Sequence, residues 1–219
     1  MSGPQYPTGP GHVCFDATAL IHYQDNGHLD LLNDLFPNGK FTPNVVTSFE
    51  LVKSDWAASM NRAILSASWL ESVPVAQPED IESVRAILGA WGSRPRSRHD
   101  GEAETIVLCE RYGWHAIMDD HTGRNTALDR RRATVSYMCS ALLGAAAVGL
   151  GSFDVDRVWE IHCQVESRRK RPRLPNEGDF RRLVEFFRIV WQKNGKPPWP
   201  EFLSDPRLDE AVDLVDPTK

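Results

Sequence analysis

The chain has 219 residues, 41% hydrophobic and 25% charged, which is typical of one soluble globular domain or one domain with a modest appendage. No apolar run approaches the roughly 20 residues that cross a bilayer, and the start lacks the order of a signal peptide. The net charge of −5 argues against indiscriminate coating of nucleic acid, although a local basic groove remains compatible with it. The cysteines are scattered, and His99, His115 and His162 have no spacing that suits metal binding. We therefore expect a reduced cytoplasmic protein without structural zinc.

Predicted strands and helices alternate from residue 12 to about residue 150, after a Gly- and Pro-rich segment at 1–11 that we expect to be poorly ordered. Strands are predicted at 12–16, 69–75, 116–119 and 134–137. Helices are predicted at 29–35, 43–53, 57–65, 81–88, 101–112, 122–132 and 138–150. Such alternation indicates βαβ units and a parallel sheet, so we assign residues 12–152 to one α/β domain.

Residues 153–219 have a different pattern, which we interpret as a mainly helical appendage to the sheet domain. A predicted helix at 155–162 leads into the basic stretch 168–173, which either contacts RNA phosphates or is simply solvated. An amphipathic helix at 180–191 predicts a core contact, a dimer interface or a protein-binding surface. The tail is rich in Pro and Trp and closes on acidic residues.

Two predicted strands end on aspartates, which points to one charged site. The first apolar run stops at Asp16, and the run that starts at Ala116 stops at Asp119 and Asp120. Ligands of open α/β sheets bind at the carboxyl ends of strands, so these carboxylates are expected in one crevice. Like charges repel there unless a cation intervenes, and Mg²⁺ or Mn²⁺ prefers such oxygen ligands. Metal-held water is a common means of cleaving phosphodiesters.

Four segments in this order resemble the PIN-domain ribonucleases, and most closely the small prokaryotic PIN proteins with a Gly-Glu-Ala-Glu helix that are related to VapC-like toxins. The segments are 13–21, 42–52, 101–109 and 117–124. The resemblance covers roughly residues 12 to 150. It implies a three-layer α/β/α PIN-like fold with a central parallel sheet, a bound Mg²⁺ or Mn²⁺, and cleavage of RNA.

The resemblance also implies roles for the acids in these segments. Asp16, Glu102 and Asp120 would hold the metal, with Asp119 as the alternative ligand at the end of its strand. Glu50 would orient or deprotonate the attacking water. Asp16, Glu50, Glu102 and Asp120 are thus the predicted catalytic set.

Two further side chains are candidates for substrate binding. Thr18 lies near the carboxyl end of the first strand, where its hydroxyl could bond a metal-held water. Arg124 lies on the helix after the second strand, and its planar fork matches the geometry of a phosphate.

Each acid also has a purely structural explanation. Asp16 at a strand-to-helix junction is a good helix N-cap, and Glu102 in a first helical turn favours the helix dipole. Glu50 by itself is typical of a solvated surface glutamate. Asp100 is the expected cap of its helix, and Glu104 is interpreted as structural. Together these explanations require a coincidence of order and placement, so the shared site is the preferred interpretation.

The sequence therefore predicts a metal-dependent endoribonuclease, either the toxin of a toxin–antitoxin pair or a related defence nuclease. Its expected partners are an RNA substrate, an antitoxin or other protein, and a second copy of the chain in a homodimer; no membrane association is expected. The long C-terminal region departs from the short toxins. Two alternatives stay open: a PIN-like nuclease acting on DNA or flap structures, and a PIN-like module that binds RNA or protein without cutting.

Overall fold

A parallel sheet forms the centre of the computed structural model. The structure describes residues 6–8, 12–47, 55–92, 99–118, 120–130, 134–136, 154–167, 177–178, 180–182, 184–185 and 188. The strands within these residues are β1 (Val13–Phe15), β2 (Gly39–Phe41), β3 (Leu70–Ser72), β4 (His115–Ile117) and β5 (Thr134–Ser136), in the order β3-β2-β1-β4-β5. The chain moves outward from β1 to β3 and then returns to β4 on the other side of β1. The carboxyl ends of β1 and β4 therefore flank a topological switch point.

Helices cover both faces of this sheet. Those within the described residues are α1 (Ala17–Asp25), α2 (Leu29–Leu35), α3 (Pro43–Thr47), α4 (Asp55–Ser66), α5 (Pro78–Ala90), α6 (Asp100–Tyr112), α7 (His121–Asp129) and α8 (Val155–Ser167). Helices α1 to α4 and α8 pack around Phe15 and Ile117 on one face, and α5 to α7 pack around Cys14 and Ala116 on the other. Alternate strand residues point to opposite faces, which separates the two clusters. The predicted three-layer α/β/α fold is confirmed.

The beginning of the C-terminal region shares its core with the sheet domain. The buried apolar residues that it contributes to the cluster around Phe15 are Val158, Ile161, Val165, Phe180 and Val184. His162 stacks on Phe180 with ring centroids 4.8 Å apart. The basic stretch 168–173, the predicted helix 138–150 and the Pro- and Trp-rich tail lie outside the described residues, and the division at residue 152 stays a prediction. No helix in the described part of the chain combines the length and apolarity of a membrane span.

Strand β2 was not among the predicted elements, because its central residue is charged. Lys40 is only 6% exposed, and its Nζ lies 2.7 Å from Glu71 Oε2 on the neighbouring strand β3. A buried lysine breaks the apolar pattern in the sequence, whereas the ion pair across the sheet makes its burial tolerable. The sequence pattern around residue 40 therefore does not reveal a strand that the tertiary structure stabilises.

Candidate active site

The first predicted site residue, Asp16, follows β1 directly and is buried, with 2% of its surface exposed. Its backbone N–H donates to the carbonyl of Ile117 on β4 at 2.9 Å, which ties the end of β1 to the neighbouring strand. The side chain caps α1: Oδ2 accepts hydrogen bonds from Thr18 N at 3.3 Å and from Thr18 Oγ1 at 2.6 Å. The cap therefore fixes the carboxylate at the carboxyl end of the sheet.

Asp120 repeats this arrangement at the end of β4. Its Oδ1 accepts hydrogen bonds from the backbone N–H groups of Thr122, at 2.8 Å, and Gly123, at 3.1 Å, at the start of α7. Strands β1 and β4 are parallel neighbours, with Phe15 opposite Ile117. Two adjacent strands therefore each end near an aspartate that caps the following helix, and the two carboxylates lie at one edge of the sheet.

The electrostatic surroundings of the two aspartates are unusual. Burial raises the pKa of Asp16, and the negative charge of Asp120 raises it further, while hydrogen bonds from Thr18 and the backbone partly offset this. Within the described residues, neither aspartate forms an ion pair with Lys or Arg. The crevice therefore holds a second carboxylate that disfavours the charged form of Asp16.

Glu102 approaches the same crevice from α6. It is 8% exposed, and its Oε2 lies 2.8 Å from His99 Nδ1. A Cβ added at Gly123 would lie 3.9 Å from Glu102 Oε1, so this oxygen faces the first turn of α7. Gly123 is also the residue whose N–H binds Asp120. Glu102 and Asp120 therefore have Gly123 as a common neighbour.

A glycine allows α6 to begin beside α3. A Cβ at Gly101 would lie 3.1 to 3.3 Å from the side chain and backbone of Val45, so a larger residue would push α6 away from α3. The predicted cap of this helix, Asp100, is wrong: Asp100 is the first helical residue, and His99 occupies the N-cap position. The side chain of His99 makes no capping bond to the backbone and binds the side chain of Glu102, three residues ahead.

The structure thus brings Asp16, Asp120 and Glu102 to one edge of the sheet. Glu50 and Asp119 lie outside the described residues, as does the side chain of Arg124. Thr18 donates its hydroxyl to Asp16, and its predicted contact with a metal-held water stays a prediction. Among the side chains that the structure describes, no three Asp, Glu, His or Cys are grouped tightly enough to hold a metal ion by themselves.

Glu104 lies on the other side of α6 from Glu102. The two residues are about 200° apart around the helix axis, so their side chains point in nearly opposite directions. Asn44 Nδ2 donates to Glu104 Oε1 at 2.6 Å, which links α6 to the start of α3. Burial raises the pKa of Glu104, and the nearby Thr42 and Asn44 groups partly offset this. Glu104 therefore anchors α3, whose predicted continuation contains Glu50.

Two other acids of low exposure, Asp80 and Glu110, have basic partners. Asp80 Oδ2 lies 3.0 Å from Arg111 Nε, and Glu110 binds Arg130 through both carboxylate oxygens. Arg130, which follows α7 and is a candidate for phosphate contact by its charge alone, is therefore already engaged in an ion pair. Basic side chains neutralise Asp80 and Glu110, whereas Asp16 and Asp120 have no such partner among the residues that the structure describes.

The comparisons with known proteins agree with this geometry. The family model described as PIN domain matches residues 12–134, which is more than half of the chain and includes all three described acids. Neither the curated proteins nor the solved structures contain a significant match. The specific likeness to VapC-like toxins stays a prediction. A PIN domain indicates a nuclease, and the match covers both strands whose ends carry the aspartates; the chain therefore belongs to the PIN-domain family.

Proposed function

We propose that the protein is a metal-dependent endoribonuclease and that Asp16, Asp120 and Glu102 supply part of the ligand set of its divalent cation. The observation that carries this proposal is the pair of aspartates at the ends of β1 and β4, which face each other's charge without a Lys or Arg partner among the described residues. A cation from solution would relieve this repulsion.

The available donors fit a hard cation. Carboxylate oxygens are the ligands that Mg²⁺ and Mn²⁺ prefer, whereas a zinc site would require His or Cys side chains at suitable spacing. The three described acids are a partial donor set, which Glu50 or Asp119 would complete. When bound, the metal would supply Lewis-acid stabilisation of the reacting phosphate and a water of lowered pKa.

The protein holds these carboxylates in place before any metal arrives. Thr18 and the backbone of α1 fix Asp16, and the first turn of α7 fixes Asp120. Helices α1, α6 and α7 all begin at this edge of the sheet, so their partly positive N-terminal ends face the crevice. These ends stabilise the carboxylates and favour the approach of a phosphate group.

The choice of RNA as substrate is supported by the resemblance of the Gly-Glu-Ala-Glu helix to small prokaryotic PIN ribonucleases. The same resemblance supports a role as a toxin or defence nuclease, with an antitoxin-like protein and a second copy of the chain as partners. Glu50 would act on the attacking water, and Arg124 would contact the substrate phosphate. Cleavage of DNA or flap structures, and binding without cleavage, are outcomes that the experiment below distinguishes.

The test is a cleavage assay with labelled single-stranded RNA and the matching DNA, in Mn²⁺, in Mg²⁺ and in excess chelator. Asp16→Asn and Asp120→Asn keep the side-chain acceptor of each helix cap but remove the charge. We expect each to lower the cleavage rate by about 100-fold or more, since each removes a metal ligand. Asp80→Asn is the matched control, because Asp80 is also buried but is paired with Arg111.

Three results would contradict the proposal. They are cleavage that persists in chelator, a native cleavage rate in either folded site variant, and an equal loss of activity in Asp80→Asn. Cleavage of DNA alone would transfer the proposal to the DNA nuclease alternative.

A further inference from the structure

A histidine at the start of the same helix contacts Glu102. His99 Nδ1 and Glu102 Oε2 are 2.8 Å apart, and the side chains are 32% and 10% exposed. An ionised carboxylate only accepts hydrogen bonds, so for Glu102 to serve as a metal ligand Nδ1 must carry the proton and donate it. This bond fixes one carboxylate oxygen, while Oε1 faces Gly123, the residue that binds Asp120.

The position of His99 is in turn restrained by Trp91, the residue that follows α5. The two rings meet edge to face, with centroids 6.0 Å apart and planes at 73°. Trp91 Nε1 donates to Thr126 Oγ1 on α7 at 2.9 Å. A chain of contacts therefore runs from Thr126 through Trp91 and His99 to Glu102, and it connects α5, α6 and α7 beside the crevice.

Helix capping does not account for this contact. His99 occupies the N-cap position of α6, but its side chain makes no capping hydrogen bond to the backbone of the helix. Its bond is instead with the carboxylate that faces the candidate metal site. Groups that hydrogen-bond a metal-binding carboxylate set its orientation, and their loss typically weakens metal binding by roughly 10- to 100-fold.

We propose that His99 is a positioning residue that orients the Glu102 carboxylate toward the divalent cation, braced by Trp91 and Thr126. This inference rests on the proposed function, because it requires Glu102 to be a metal ligand. His99 itself contacts neither metal nor substrate in this account. Its effect is exerted through the direction of one carboxylate.

The test measures Mn²⁺ affinity of the full chain by titration calorimetry, together with RNA cleavage at limiting and excess Mn²⁺. His99→Leu removes the donor, whereas the side-chain amide of His99→Asn places an N–H close to the position of Nδ1. We expect His99→Leu to weaken Mn²⁺ binding by roughly 10- to 100-fold and His99→Asn to stay within about threefold of the native protein. Excess Mn²⁺ restores the kcat of His99→Leu, with the KM for RNA unchanged.

Two further variants make this result specific. Arg85→Leu breaks the exposed ion pair with Glu82, which has the same three-residue spacing on α5, and should bind Mn²⁺ normally. Trp91→Phe keeps an aromatic ring but loses the bond to Thr126, and should weaken Mn²⁺ binding by a few-fold. If His99→Leu fails to fold, Trp91→Phe still tests the contacts that run from Thr126 to Glu102.

Native Mn²⁺ affinity in folded His99→Leu, or in Trp91→Phe where the leucine variant is unfolded, overturns the inference. If Asp16→Asn loses Mn²⁺ binding at the same time, the proposed function stands and only the role of His99 falls. If the native protein binds no Mn²⁺, or Asp16→Asn binds it as well as the native protein, the proposed function and the inference fail together.

Discussion

Asp16 and Asp80 are both buried aspartates, but they have opposite neighbours. Asp16 is 2% exposed and Asp80 is 7% exposed, and burial is the main reason why the pKa of each is raised. At Asp80 the charge of Arg111 works against this increase. At Asp16 the charge of Asp120 adds to it. A basic side chain neutralises Asp80, whereas a second carboxylate, that of Asp120, lies near Asp16.

Under the proposed function, this difference separates a structural acid from a metal ligand. The ion pair of Asp80 links α5 to α6 and leaves little for a ligand to gain at that position. At neutral pH the charges in the crevice at Asp16 disfavour the folded state. A bound cation would remove this repulsion, and the free energy gained would strengthen the binding of the cation. If the proposed function is correct, the site reduces stability in exchange for activity, which is common where activity requires an unfavourable arrangement.

The largest expected effect on stability is that of a divalent cation. At a Mg²⁺ or Mn²⁺ concentration about 100 times the Kd, the native protein should gain about 2.7 kcal/mol in its free energy of unfolding, because only the folded state holds the ion. Asp16→Asn should gain much less, whereas Asp80→Asn should gain as much as the native protein. Thermal unfolding with and without the cation measures this. An equal gain in all three proteins would mean that the cation binds elsewhere.

Removal of the basic partner of Asp80 should make the two aspartates alike. Arg111→Met leaves Asp80 buried beside no cation, and we expect a loss of about 2 kcal/mol at neutral pH, less than for a fully buried pair because Arg111 is 26% exposed. The loss should shrink at acidic pH, where Asp80 becomes protonated. Urea unfolding at both pH values checks this. An unchanged free energy of unfolding would show that the ion pair contributes nothing.

The smallest expected effect on stability is that of Asp16→Asn in the absence of metal, and it is a gain, whereas Arg111→Met causes a loss. A raised folded pKa means that the stability contributed by Asp16 is full below the ordinary pKa of an aspartate and is lost as pH rises through the raised value. Asp16→Asn avoids this loss, so in chelator at neutral pH it should be more stable than the native protein by about 1 kcal/mol.

Urea unfolding at pH 3 and pH 7 measures the difference between the two proteins. It should be close to zero at pH 3. A variant that is less stable at pH 7 would show that the capping role of the ionised carboxylate outweighs the cost of its burial and of its repulsion with Asp120.

Much of the fold could be predicted because its signals are local. The apolar runs that end at Asp16 and Asp120 predicted β1, β4 and the edge where the acids lie, and Gly113, with φ of 70°, ends α6 as expected. The predicted helices between residues 55 and 129 are present, with bounds that differ by a few residues. Strand β2 was missed, since the burial of Lys40 depends on Glu71, thirty-one positions away in the chain.

The candidate site likewise combines a feature that is local in the sequence with contacts that only the tertiary structure creates. The spacing of His99 and Glu102 on one helical face was present in the sequence, although the histidine was considered only as a zinc ligand. The contacts of Trp91 with His99 and Thr126 join three helices and leave no local pattern.

The sequence by itself determined which acids follow the two central strands and that Asp16 can cap the helix after its strand, because strand periodicity and capping depend on near neighbours in the chain. Only the tertiary structure decided that Asp120 lies near enough to act on the charge of Asp16, and that no described Lys or Arg pairs with either acid. The sign and distance of a neighbouring charge depend on how strands and helices pack, and two aspartates equally buried can therefore have different roles.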